Sequence, residues 1–410
     1  MNRKLMALAV AGALAAPAAA LAQVQIGGSL TVFYYSHDPD NKSVGKTGDI
    51  LESSEPEMYI RSEEKLGGGM SAWFQCTSSL DGFISGTDAA AGLCGRNSGL
   101  GFRGGFGNFF LGNWDSPQKL VFNSGRGWFG GTNAFTGGSA VLLNGGSASG
   151  TVNPSPTTTG TQNPGTFFRR QARSLNYHSP SWGGFSFNAQ YSAANESTGN
   201  PDAGLLDPRM YSLGARFGTG PFFVNVGYEA HNDYNPGAQA IGAAAGQYSG
   251  GTDDTITAVV GFQMAGFNIR GMYSKSGYET ASATVAGATT TLDVDGYGLF
   301  ADWNISGPHT LRAQYVIVND TKGSSTVNVG SYKGPGSSGC GGTSILSCAS
   351  DTGADLMAIF YSYALSKRTE LSLGYSQISN DPKAVYSKGK TASSAGGTQT
   401  TYGVVVKHSF

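Results

Sequence analysis

Charge is scarce in this sequence. Only 13% of its 410 residues are Asp, Glu, Lys or Arg, too few to solvate the surface of an ordinary soluble globular protein. Beyond Ala22 nothing resembles a membrane-spanning helix, which argues against a helical membrane protein. Cysteine numbers four and CxxC is absent, so a zinc or redox centre has no support. Neither HExxH nor GxSxG occurs, and the five histidines (His37, His178, His231, His309, His408) are scattered. Without Arg3 and Lys4 the 26 basic residues fall to 24, against 27 acidic, a net charge of −3. That balance argues against nucleic acid as a partner. The most local absence lies between Asp115 and Phe167. Residues Ser116 to Gly165 include no aspartate or glutamate, and their only charges are Lys119 and Arg126. Prolines at 117, 154, 156 and 164 interrupt the stretch, and no strand is expected in it. A connection this long is a functional loop or a disordered one.

What is present points to an exported sheet protein. Arg3 and Lys4, an apolar run from Leu5 to Leu21 and the small-x-small step Ala20-Leu-Ala22 read as a signal peptide over residues 1–22. Residues 23–410 then form a single domain. Its 63 glycines and 11% aromatics suit many turns and a largely apolar exterior, and argue against prolonged disorder. In an exported chain the cysteines are candidates for pairing, Cys76 with Cys94 and Cys340 with Cys348.

From Val24 onward one unit repeats: an alternating segment, a tight turn, a second alternating segment and a long polar stretch. Glu57 to Leu66 turns at Gly67-Gly-Gly69 into Met70 to Cys76, and Phe267 to Ser274 follows Thr255 to Met264 through Ala265-Gly266. About sixteen strands result, with short turns at one end and long loops at the other, as in outer-membrane barrels. Phe185, Phe187, Ala189 and Tyr191 alternate with Ser186, Asn188, Gln190 and Ser192. Alternation alone also fits a soluble sandwich with one wet face. Aromatics at the ends of the apolar faces (Tyr34, Tyr177, Tyr191, Tyr228, Tyr273, Trp303, Tyr363, Tyr375) favour interfacial girdles instead. A sheet in lipid must pair every backbone donor, so it must close.

The residues Arg61-Ser-Glu-Glu-Lys-Leu-Gly-Gly-Gly69 leading into Ala72-Trp-Phe-Gln75, with Tyr177-His-Ser-Pro180, Gly183-Gly-Phe-Ser-Phe187, Tyr363-Ala-Leu-Ser-Lys-Arg-Thr369 and the terminal Phe410, resemble the general trimeric porins of Gram-negative bacteria. The likeness is closest to the beta-proteobacterial type and covers nearly the whole mature chain. It implies an all-β transmembrane antiparallel barrel of sixteen strands with short periplasmic turns and long external loops. It also implies a homotrimer in the outer membrane, passive diffusion of ions and small hydrophilic solutes, and a third loop, residues 116–166, folded into the lumen. Phe410 resembles the family's signal to the outer-membrane assembly machinery. Neither a cofactor nor a metal is implied.

Strand parity then assigns the lumen. Arg61, Arg103, Arg170, Arg216, Arg270, Arg312 and Lys407 fall on the inner side, with Glu57, Glu63, Glu229, Asp302 and Glu370, whereas Arg173 falls on the lipid side and stays unexplained without a subunit interface or a register change. The sequence departs from the family where selectivity is set. Glu57, Asn113 and Asn176 stand at wall positions usually held by basic residues, and the loop carries Lys119 and Arg126 in place of acids. One reading reverses part of the polarity, with Arg126 facing Glu57. The other makes the loop a wide polar plug whose charges lie outside the pore. Substrate-selective channels, an outer-membrane hydrolase and a secreted soluble sheet protein are the competing functions. Several motif matches are decoys: Gly99-Leu-Gly-Phe-Arg-Gly104 precedes a turn and strand rather than a helix, Gly45-Lys-Thr47 and Gly389-Lys-Thr391 lack the first glycine of a phosphate loop, and Asp38-Pro-Asp40 has too few ligands for calcium.

Overall fold

The computed structural model describes residues 24–40, 48–54, 56–80, 82–85, 93–131, 142–143, 167–193, 209–232, 252–281, 289–323, 350–384, 386 and 395–410. Sixteen antiparallel strands run in order around a closed barrel. They are β1 Gln25–Pro39, β2 Gly48–Ser53 with Glu57–Gly67, β3 Met70–Ser79, β4 Ser98–Gly104, β5 Gly107–Asp115 and β6 Arg170–His178. β7 Phe185–Ala193, β8 Arg209–Thr219, β9 Phe222–Asn232, β10 Thr252–Met264 and β11 Phe267–Ala281 follow. β12 Thr289–Ser306, β13 His309–Val318, β14 Ala354–Ala364, β15 Thr369–Asn380 and β16 Thr398–Ser409 complete the wall. The two arms of β2 both pair with β1, and the short piece Lys322–Gly323 continues β13 along β12. The arm Gly48–Ser53 lies inside a stretch that its polar composition assigns to a connector. It pairs with β1 from Val32↔Ser53 to His37↔Gly48.

The seam is complete. β1 pairs with β16 from Ser29↔Ser409 to Pro39↔Gln399, and the backbones of Gly28 and Phe410 exchange hydrogen bonds of 3.0 and 3.1 Å. A closed ladder leaves no strand edge unpaired, the condition that lipid imposes. Turns at the Phe410 end are tight. Gly67, Gly68 and Gly69 all adopt positive φ, a run that side chains other than glycine disfavour.

Alternation sets the two surfaces. Leu100, Phe102, Leu111, Leu213, Leu299 and Met357 stand on the outside with large exposure. Aromatics frame this band at both ends. Near the turns Phe267 stacks on Trp303 at 5.4 Å and His309 packs on Tyr363 at 5.1 Å. Toward the loops Tyr191 meets Tyr211 at 5.3 Å and Tyr273 meets Tyr297 at 5.2 Å. The inside is not uniformly polar. Val259, Met272, Val294, Phe300, Val316, Leu356, Phe360 and Ile378 face inward and are buried, so one arc of the inner wall is as apolar as the outer one. Loop residues Val121, Phe122, Phe129, Leu142, Leu143 and Phe167 cover it.

A disulfide joins Cys76 to Cys94 with a Cα–Cα distance of 4.6 Å, while Cys340 and Cys348 lie outside the described residues. A Cβ on Gly403 would run into the Tyr34 carbonyl and the Tyr35 backbone across the seam, whereas Gly48 has open space. Gly403→Val should therefore cost about 1–3 kcal/mol through overpacking and lower the temperature at which the compact barrel is lost on a detergent gel. Gly48→Ala should leave that temperature unchanged.

Candidate functional site: a constriction built by one loop

The chain leaves β5 and turns inward at once. Ser116 caps a helix by accepting from the Lys119 N–H at 3.2 Å, Pro117 occupies its first turn, and the helix runs Pro117–Arg126. An N-capping serine followed by proline is a strong helix start, and it places regular structure where composition indicated only loop. Asp115 anchors the root, receiving Lys119 at 2.8 Å and Arg170 at 3.1 Å. The helix ends at Gly127, whose φ of 57° brings its backbone against the Arg270 guanidinium where a Cβ would collide. A 3-10 turn, Gly127–Gly131, follows.

The helix lies flat on β8 to β11, held by neutral hydrogen bonds. The Gln118 backbone N–H donates to Ser212 Oγ at 3.0 Å and its amide to Thr257 Oγ1 at 2.6 Å. Asn225 donates to Ser124 Oγ at 2.7 Å. Gly214 and Gly227 leave room on the wall for Pro117, Gln118 and Val121. Beyond the helix, the Trp128 indole N–H donates to Glu370 Oε1 at 2.7 Å, with the Arg312 guanidinium 4.7 Å above its ring. This loop, without acids of its own, uses a wall carboxylate as its acceptor.

Both cations of the loop turn away from the pore. Arg126 is fully buried, donates to the Phe129 carbonyl at 3.1 Å, and lies over the rings of Phe122 and Phe168 at 5.5 and 5.3 Å. Lys119 lies 4.6 Å over Phe168 beside Asp115. Glu57 meanwhile holds Arg96 at 3.1 Å, so the expected pairing of Arg126 with Glu57 does not form. Burial against aromatic faces and the carbonyls of its own turn keep Arg126 on the loop.

Around the wall the expected inner residues separate into paired and bare ones. Arg270 binds Asp302 at 2.5 Å, and Arg312 joins Asp302 to Glu370 at 3.4 and 2.9 Å. Arg103 sits 3.6 Å from Glu63 and 5.3 Å over Trp73. Asn176 is buried on the inner wall and accepts from Gln190 at 2.8 Å. Among the described residues Arg61 bonds only the neutral Gln25 at 2.8 Å and the Tyr59 ring, and Arg216 lies over Phe223 at 5.7 Å.

Two inner-wall assignments need correcting, each for its own reason. β5 and β6 shift register between Gly112 and Trp114, with Arg173 at a φ of 53° opposite the shift. Such a bulge reverses parity on the strand beyond it. Asn113 lies on the strand without the inserted residue, where plain alternation puts it on the outer side with Phe109 and Leu111, and it donates to the carbonyls of Gly95 and Arg96. Arg170 leaves the inner row of Gln171, Ser174 and Asn176 and clamps Asp115 instead. Arg173 itself sits within the bulge and keeps the outer side of Leu175.

Comparison with known proteins agrees with this architecture. A sequence model of the family described as Gram-negative porin matches residues 7–383. The major outer membrane protein P.IB of Neisseria gonorrhoeae is 26% identical over 231 residues, 55% of this chain and 56% of that protein. The chain thus spans about half the length of the curated relatives it matches. Among solved structures, the anion-selective porin from Comamonas acidovorans superposes with a TM-score of 0.69 at 19% identity, covering 95% of this chain and 100% of that one. OmpT of Vibrio cholerae, in its trimer form, gives 0.60 at 12% identity, covering 95% and 99%. At these identities the superpositions establish the fold.

The neutral tethers carry the helix, so Gln118→Leu should weaken it by about 1 kcal/mol and speed amide exchange over Pro117–Arg126 about fivefold. Hydrogen exchange read by mass spectrometry checks this. Unchanged exchange would show that the apolar contacts alone hold the helix.

Proposed function

The chain belongs to the Gram-negative porin family, and on that premise we propose that it passes anions in preference to cations through a passive, water-filled pore. It is an outer-membrane porin, and ions and small hydrophilic solutes cross it by diffusion with no catalysed step. The observation that carries the preference is the distribution of ion pairs. Glu57, Glu63, Asp115, Asp302 and Glu370 each lie against arginine or lysine. Arg61, Arg216 and Lys407 have no ion pair among the described residues, and the loop from Ser116 to Gly165 supplies no carboxylate to offset them. In a narrow aqueous path through low-dielectric lipid, surplus charge of one sign concentrates counter-ions and sets selectivity. The Comamonas acidovorans porin with the same fold is described as anion-selective, which supports the reading. Assembly as a homotrimer fits the family resemblance and the trimer form recorded for the Vibrio cholerae protein.

A planar bilayer in a potassium chloride gradient tests this. The reversal potential should take the sign of chloride preference at about 0.1 M salt and shrink toward about 1 M, where the screening length falls from ~10 Å to ~3 Å. Neutralising the bare cations together, as Arg61→Gln, Arg216→Gln and Lys407→Gln, should move the chloride-to-potassium permeability ratio toward one. A cation-selective reversal potential in the unaltered protein would reject the proposal.

A further inference from the structure

Glu370 and Lys407 stand directly opposite each other on β15 and β16, both on the inner side, the placement in which opposite charges ordinarily pair. They do not pair. Glu370 is turned toward β13 and the loop instead: Oε2 accepts from Arg312 Nη2 at 2.9 Å, and Oε1 accepts most closely from the Trp128 indole at 2.7 Å, with Arg312 Nη1 and Ser372 Oγ each at 3.3 Å. Both carboxylate oxygens are thereby occupied. Trp128 belongs to the pore-side turn of the loop, its neighbour Gly127 being exposed and the indole itself half-buried. Its ring is fixed by Arg312 at 4.7 Å, Phe360 at 5.1 Å and Phe129 at 5.4 Å.

We propose that Trp128 is a latch that couples the bore of the pore to its ion selectivity, through competition between the loop and Lys407 for Glu370. With the indole seated, the loop turn is drawn against the wall, Glu370 is committed to Trp128 and Arg312, and Lys407 faces passing ions as a bare cation. When the indole leaves, the turn loses its one hydrogen bond to a wall carboxylate among the described residues and the aperture widens. Glu370, still held by Arg312 through Oε2, can then turn Oε1 to Lys407 across the ladder and neutralise it. Width and sign of charge therefore change together: the latched pore is narrow and favours anions, and the unlatched one is wider and less selective. This rests on the porin reading above and names two residues, Trp128 and Glu370, that determine specificity within it.

The test uses the full chain in planar bilayers, reading single-channel conductance and reversal potential. Trp128→Phe keeps the ring and deletes the donor. It should raise conductance and lower the anion-to-cation permeability ratio about twofold to fivefold, the effect expected from neutralising one cross-strand charge. Lys407→Gln should lower the ratio comparably in the unaltered protein yet add little to Trp128→Phe. Trp128→Phe with Glu370→Gln should recover the anion preference while the conductance stays raised. Glu370→Gln alone keeps an acceptor for the indole, so conductance should hold while anion preference rises. Unchanged conductance and ratio in Trp128→Phe, or additive effects of Trp128→Phe and Lys407→Gln, would overturn the latch. Should the unaltered protein prefer cations, the anion reading fails by itself, and a further shift toward cations in Trp128→Phe still supports the latch.

Discussion

Everything in this molecule follows from the cost of an unpaired peptide group in lipid. Each such group costs several kcal/mol where no water can reach it, on the order of the penalties measured for transfer to hydrocarbon. Sixteen short strands, none able to stand alone, satisfy that demand only by closing β1 onto β16. Closure creates an interior, and the interior is the function. The sequence meets this demand with alternation rather than with long apolar runs, which is why so little charge suffices.

The interior is then shaped by a second economy. A constriction can be pinned by loop acids on wall bases; this chain pins it by burial and neutral hydrogen bonds. Phe122, Phe129, Leu142 and Leu143 press on an inward apolar arc formed by Phe300, Val316, Leu356 and Phe360. Fully burying one such side chain is worth about 1.5–3 kcal/mol, more than the ~1 kcal/mol or less of an exposed ion pair, and it does not weaken in salt. Charge keeps a structural task only at the root, where Asp115 holds Lys119 and Arg170, and at Glu370, which receives Trp128. The wall carboxylates Asp302 and Glu370 hold Arg270 and Arg312 in place.

Most of the barrel was legible because side-chain period is a local property. Strand pairs, tight turns, the girdles and the inner placement of Arg103, Arg270 and Arg312 all follow from counting by two. Counting fails where one residue is inserted. A single bulge at Arg173 displaced Arg170 from the wall, and period alone gives no warning of it, whereas counting by two from Phe109 and Leu111 already puts Asn113 outside. The helix after Ser116 was visible in principle, since Ser-Pro is a recognised start, yet its surroundings of glycine and asparagine masked it. The union of Trp128 with Glu370 was out of reach, because it joins residues 242 apart in the chain and depends on how the loop packs. Arg126 was misplaced for a related reason: an arginine in a loop suggests solvent or an acid, and only the fold reveals Phe122 and Phe168 beneath it.

The central claim is that the closed sheet leaves a continuous aqueous path beside the loop. Recording current across a planar bilayer as the purified, folded protein inserts measures that path directly. Discrete upward steps that stay open and rise in proportion to voltage are expected. A silent bilayer, with protein shown to be inserted and compact, would contradict it.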